Sequence, residues 1–309
     1  VSHAFDSLYL GCVRPLCLEF FSVVIAELVK KKTSPLILDI VKQYKSILKR
    51  STYRVTRNLR QFLFLKFKRF IYSRKKYYKS YGFTIQFSKT SAFIYKDPTD
   101  TCIFTINFTE QKAQGLTQLY CDSKTGVFVH EITFSNPCVE FYMSMLCMLN
   151  KTPLYCLKDV MFELDSIYIH EKQHVYDDVI YKTIDTSRSD AYYNKILKKD
   201  SDFYYSKYLH HPVELAANMQ QLAFLLHMLR PSGTIDATRF LNFFKKYKIS
   251  KYSRSFLQSE VCKYKVLFSR NKNHTKYWFK FMFKLLNMKY YQLYGRNILV
   301  NVNQCISSI

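Results

Sequence analysis

Residues 170–174 read His170-Glu171-Lys172-Gln173-His174, and this His-Glu-x-x-His run constrains the chain more tightly than any other stretch. At about 100° per residue, side chains four apart on an α-helix lie only about 40° apart around its axis, so both imidazoles reach one metal ion if the segment is helical. Glu171 is then held beside that ion. Two histidines on zinc with an adjacent glutamate as general base is an arrangement suited to metal-assisted hydrolysis.

The surrounding sequence predicts that helix. No glycine or proline interrupts 166–182, Asp165 or Ser166 is placed to cap its start, and Ile167, His170, His174, Asp177 and Tyr181 recur at spacings of three and four. Ile169 and Val175 flank the motif and Ile180 follows it, the pattern of a helix buried against a sheet.

A catalytic zinc takes three protein ligands and keeps a fourth position open for water. The best third donor is Glu214. Pro212 is placed in the first turn of a second helix that runs apolar to Leu229 and stops at Pro231 and Gly233. Glu214 falls in its first turn, and Ala217, Asn218, Gln221 and Leu225 continue its face. A carboxylate in a first turn is also favoured by the helix dipole alone, but the rest of 212–229 is almost free of charge. Asn218, one turn on, is placed to orient a ligand histidine from behind. Asp177 is the rival third ligand, yet three consecutive ligands from one straight helix strain a tetrahedron, which leaves it a supporting or surface role. His227 projects about 220° away from Glu214 on the same helix and is expected to be structural.

His170-Glu171-x-x-His174 followed by Glu214 on a second helix resembles the gluzincin type of zinc metallopeptidase, whose third ligand lies in a Glu-x-x-x-Asp pattern. Here that pattern reads Glu214-Leu215-Ala216-Ala217-Asn218, with Asn in place of the usual Asp. The phrasing from Tyr208 to Ala217 also resembles uncharacterised peptidase-like proteins encoded by bacteriophages. The resemblance spans about 165–225. It implies Zn2+ held by His170, His174 and Glu214, with Glu171 as general base acting on a peptide or protein substrate. An oxyanion donor is also needed, and Tyr204, Tyr205, Tyr208, His210 and His211 compete for that role.

Upstream, residues 83–87, 92–95, 102–108 and 126–134 are short, β-rich and separated by turn signals at Asp97-Pro98 and Lys124-Thr125-Gly126. The last of these is the natural edge for binding an extended peptide by β-addition, an ordinary paired strand being the other reading. His130 on it is expected to be structural. The fold class expected is α+β: a zincin-like core of a small sheet, the His-Glu helix and the Glu-bearing helix, with mainly helical flanks.

Charge divides the chain more sharply than hydrophobicity. Residues 30–80 hold seventeen Lys or Arg against one acid, 239–296 fifteen against one, and 81–238 fourteen against eighteen, so the net +24 belongs to the flanks. This division predicts a basic helical region over 1–80, a mildly acidic core over 81–230 and a second basic helical region over 231–309. Segments such as 36–48, 60–72 and 277–283 interleave apolar or aromatic with basic residues, and the apolar run 240–244 stands between Arg239 and Lys245. Such helices cover a core with a solvated basic face, bind nucleic acid or lie on an anionic surface.

With 309 residues, 48% of them apolar, the chain has ample material for a buried core. The nine cysteines are odd in number and scattered, without a Cys-x-x-Cys pair, and read as reduced thiols. Residues 8–29 are apolar but are interrupted by Arg14, Pro15, Glu19 and Glu27, which argues against a signal peptide or membrane span and for a cytoplasmic place, in an infected host cell or with a virion. Two functions stand side by side: an active zinc peptidase, and a catalytically inactive or structural zincin-like protein serving as a basic binding or virion component.

Overall fold

The computed structural model describes residues 2–30, 53–96, 101–108, 115–135, 153–180, 208–229, 233–246, 263–268 and 275–307. The expected helix over 36–48, the turn at 97–98, and Tyr204 and Tyr205 lie outside them. The class is α+β, and the chain forms two compact units, Val1–Val175 and Tyr176–Ile309. The units do not follow the charge-based division at 80 and 230.

In the first unit, helices α1 (Ser2–Leu8) and α2 (Arg14–Lys30) are joined by a π-helical turn, Tyr9–Val13, and are followed by α3 (Tyr53–Ser73) and α4 (Lys75–Ser80). Five strands come next: β1 (Thr84–Phe87), β2 (Ser91–Tyr95), β3 (Cys102–Asn107), β4 (Gly115–Cys121) and β5 (Phe128–Ser135). They form one mixed sheet in the order β1-β2-β3-β5-β4, with β3 and β5 parallel and the other pairs antiparallel. The four strands expected from sequence are present. The fifth, β4, carries weak alternation because most of it is exposed, and its place corrects the expected edge. The segment around 126–134 is an ordinary paired strand, β5, in the interior, and the described edges of the sheet are β1 and β4.

Helix α5 (Pro153–Ile180) carries the His-Glu motif. It starts earlier than expected, so Asp165 and Ser166 are interior residues and not its N-cap. Leu157, Met161, Leu164 and Tyr168 extend the apolar stripe toward Pro153 and bury it in the core. Proline fits a first helical turn because it has no N–H to leave unsatisfied.

The core of this unit is one cluster that runs from Phe5 through Val24, the inner faces of α3 and the sheet, and on to Tyr168 and Val175. Tyr9 is its keystone, stacked on Tyr168 with ring centroids 3.9 Å apart and set edge-on to Phe134. Its hydroxyl donates to Asp165, which also receives a bidentate pair of bonds from Arg14. Asp6 accepts from Tyr168 and pairs with Lys172 at 2.7 Å. The span His3–Val24 is long and apolar enough to cross a membrane, and half of it is buried in this core.

The second unit contains α6 (Pro212–Leu229), β6 (Ile235–Asp236), α7 (Ala237–Lys246), α8 (Thr275–Tyr294), β7 (Leu299–Val300) and α9 (Val302–Ser307). The predicted limits of α6 match those observed. Leu215, Met219, Leu222 and Leu226 of α6 are buried, as are Met282, Phe283, Leu286 and Tyr290 of the neighbouring α8. Asn287 closes the end of this unit, accepting from the backbone N–H groups of Ile298 and Leu299 and donating to the Leu299 carbonyl. The helices expected around 240–244 and 277–283 are thus α7 and α8, with Phe240, Leu241, Phe279 and Phe283 inward and Tyr277 and Phe281 exposed.

Candidate metal centre

On α5 the four-residue spacing does what helix geometry requires. The Nε2 atoms of His170 and His174 face each other at 3.2 Å, with the rings inclined at 79°. Two imidazoles each 2.0–2.1 Å from one tetrahedral zinc hold their nitrogens roughly 3.3–3.4 Å apart. The pair is therefore already at the spacing of one edge of a zinc tetrahedron.

Glu171 is buried, and the sheet explains how. Ile94, Phe104, Ile132 and Thr117 are directly paired across β2, β3, β5 and β4 and so form one row on one face. The first three are large and buried. The row ends in threonine because the Glu171 side chain occupies the space beyond it: Thr117 Oγ1 donates its proton to Glu171 Oε2 at 2.8 Å and lies 3.1 Å from the Glu171 backbone carbonyl. Two residues along, on the same face, stands Gly115. A Cβ there would come within 2.8 Å of both Cγ and Cδ of Glu171 and closer still to Oε1. Glycine on this strand is thus required by the close approach of Glu171. Oε2 is held by Thr117, and Oε1 is the Glu171 atom nearest to Gly115.

Glu214 sits in the first turn of α6, as expected, and its side chain is buried. One ligand atom each from His170, His174 and Glu214 lies within 4.8 Å of the others. Two imidazoles and one carboxylate form a donor set of the kind that holds a divalent metal ion.

The remaining expected residues have other surroundings. Asn218 is buried, and its amide donates to the backbone carbonyl of Glu214 at 2.7 Å, so it braces the first turn of its own helix. Asp177 lies in the second unit, where its charge favours the protonated form of buried Lys289 against the desolvation that pulls that lysine's pKa down. His210 is buried with its Nε2 3.3 Å from the Leu267 carbonyl and its ring against Trp278, a structural position. Tyr208 and His211 are half-buried just ahead of α6. His227 stacks on Tyr294 at 3.7 Å and meets the Tyr290 hydroxyl, in keeping with its expected structural part. His130 is buried on β5.

Sequence reading missed Gly115, Thr117, Asp6 and Arg14. Each left a trace: a glycine in a strand marks close approach, and an isolated Asp or Arg in an apolar helix marks a charge partner elsewhere. Comparison of the chain with protein-family models, characterised proteins and solved structures gave no match.

Proposed function

We propose that this protein is a zinc-dependent metallopeptidase with a zincin-like core, in which His170, His174 and Glu214 hold the metal and Glu171 is the general base. The observation that carries the reading is the convergence of the two imidazoles and the Glu214 carboxylate within 4.8 Å. The position of Glu171 adds to it, since a purely structural site has no need of a base.

Zinc, when bound, supplies a Lewis acid and lowers the pKa of the water it holds to about 7. Glu171, its Oε2 held by Thr117, would accept a proton from the attacking water as the water oxygen bonds to the scissile carbonyl carbon, and would return that proton to the amine nitrogen as the C–N bond breaks. Thr117 and Gly115 fix where that carboxylate stands. An extended peptide is best seated along the outer edge of β4, which no described strand occupies, so that backbone pairing brings a scissile carbonyl past Glu171.

The test is hydrolysis of a quenched-fluorescent peptide library by the full chain, before and after treatment with 1,10-phenanthroline, alongside Glu171→Gln. Chelation should abolish cleavage, zinc should restore it, and Glu171→Gln should bind zinc but cut nothing. Cleavage that survives Glu171→Gln or the chelator overturns the proposal. So does one equivalent of tightly bound zinc with no cleavage of any peptide, which would favour the inactive, structural reading.

A further inference from the structure

The most strongly one-signed described surface lies on α3 and α4, remote in sequence from the metal motif. Residues 66–89 contain eight Lys or Arg and no acid. The apolar side chains of α3 point inward: Phe64, Phe67, Phe70 and Ile71 are all at most 7% exposed. What remains outside, beyond Leu65, is lysine, arginine and tyrosine.

Three tyrosines stand out from this face, Tyr72 at 55%, Tyr77 at 55% and Tyr81 at 59% exposure. Folding alone does not account for their exposure, because ring burial in the core would have been favourable. They are ordered by neighbours: Lys68 Nζ lies 5.9 Å from the Tyr72 ring centre and 5.7 Å from that of Phe87, and the rings of Tyr77 and Tyr81 are 4.8 Å apart. Lys75, Lys76 and Lys79 are exposed between them. Arg74 is committed to Glu19 at 2.6 Å.

We infer that the α3–α4 face binds single-stranded nucleic acid, the lysines taking the phosphates and the tyrosines stacking on bases. Charge complementarity selects a polyanion. Exposed rings select one whose bases are open to stacking, which a duplex does not offer. An anionic membrane fits less well, because the Phe and Ile side chains that would insert into it are turned into the core. The inference stands independently of the peptidase reading.

A chain of net charge +24 attracts nucleic acid weakly anywhere on its surface, so the test must localise the site. Fluorescence anisotropy of a labelled oligothymidylate, read across a salt series, compares the parent with three variants, each checked by thermal melting. Lys75→Gln/Lys76→Gln/Lys79→Gln should flatten the plot of log affinity against log salt by about 2, from roughly 0.7 per lost single-strand phosphate contact. Tyr72→Ala/Tyr77→Ala/Tyr81→Ala should weaken binding at least tenfold with the slope kept, since stacking contributes about 1–3 kcal/mol per base. Lys276→Gln/Lys280→Gln/Lys284→Gln, on the exposed face of α8, should change neither. The inference fails if the α8 variant costs as much as the α4 variant, if the tyrosines have no effect, or if the parent binds phosphatidylserine vesicles but not the oligonucleotide.

Discussion

The sharpest consequence of the site geometry is at Gly115, which has no ionisable or nucleophilic group of its own. In Gly115→Ala the new methyl would lie 2.8 Å from Cγ and Cδ of Glu171, where carbon atoms normally rest about 3.5–4.0 Å apart. About 0.7–1.2 Å must be found by movement. β4 cannot supply it cheaply, because Gly115 is paired with Phe134 in the ladder, and the Glu171 backbone is fixed inside α5. The Glu171 side chain therefore swings away, at about 0.5–1.5 kcal/mol for an off-rotamer torsion. Displacing a catalytic group by about 1 Å costs on the order of 100-fold in rate. The expected result is a split: kcat/KM on a peptide cleaved by the parent falls about 100-fold, zinc content is unchanged, and urea denaturation moves by no more than about 1.5 kcal/mol. Full activity in Gly115→Ala, with Glu171→Gln dead, would show that Glu171 works from a position other than the one it holds against β4.

Other perturbations separate catalysis from support. Thr117→Val removes the donor to Glu171 Oε2 and should lower kcat about 10-fold or more, in line with about 1.5–3 kcal/mol for a hydrogen bond to a charged group, while leaving KM and zinc binding alone. Asp165→Ala leaves the deeply buried Tyr9 hydroxyl without its acceptor and should destabilise the first unit by about 1–3 kcal/mol in urea unfolding; no change in midpoint would refute that role. Burial, and secondarily the nearby Arg296 charge, hold the His227 pKa below its ordinary value. The unfolded chain therefore binds the proton better, so this contribution is complete above about pH 6.5 and is lost as the pH falls below it. Thermal melts at pH 7.5 and 5.5 should show a smaller acid loss in His227→Gln than in the parent, and an equal loss in both would contradict the assignment.

Much of this arrangement is legible in the sequence, for identifiable reasons. The helix of the His-Glu motif and α6 declare themselves through spacing, capping proline and the absence of breakers, and the four strands recognised are those with apolar inner faces, such as Phe104, Ile106, Ile132 and Phe134. β4 is hidden because its inner face carries Gly115 and Thr117 in place of Val or Ile, and those residues are small because Glu171 needs the room. With β4 hidden, β5 reads as the last strand and hence as an edge. The start of α5 is obscured because Asp165 and Ser166 look like caps, whereas Asp165 serves a long-range pair with Arg14. Charge counting likewise separates 1–80 from the sheet, although the aromatic core joins Tyr9, Phe104 and Tyr168 in one unit. Local signals specify local elements, and partners more than a hundred residues apart leave only an unexplained charge.

Zinc K-edge X-ray absorption on the purified full chain tests the proposed metal centre most directly. Two imidazole nitrogens and low-atomic-number oxygen scatterers at about 2.0–2.2 Å are expected, with one of the two imidazoles lost in His174→Ala. With nine cysteines in the chain, the contradicting outcome is equally clear: sulfur scatterers near 2.3 Å, or a zinc shell indifferent to His174→Ala and Glu214→Ala, would place the metal elsewhere.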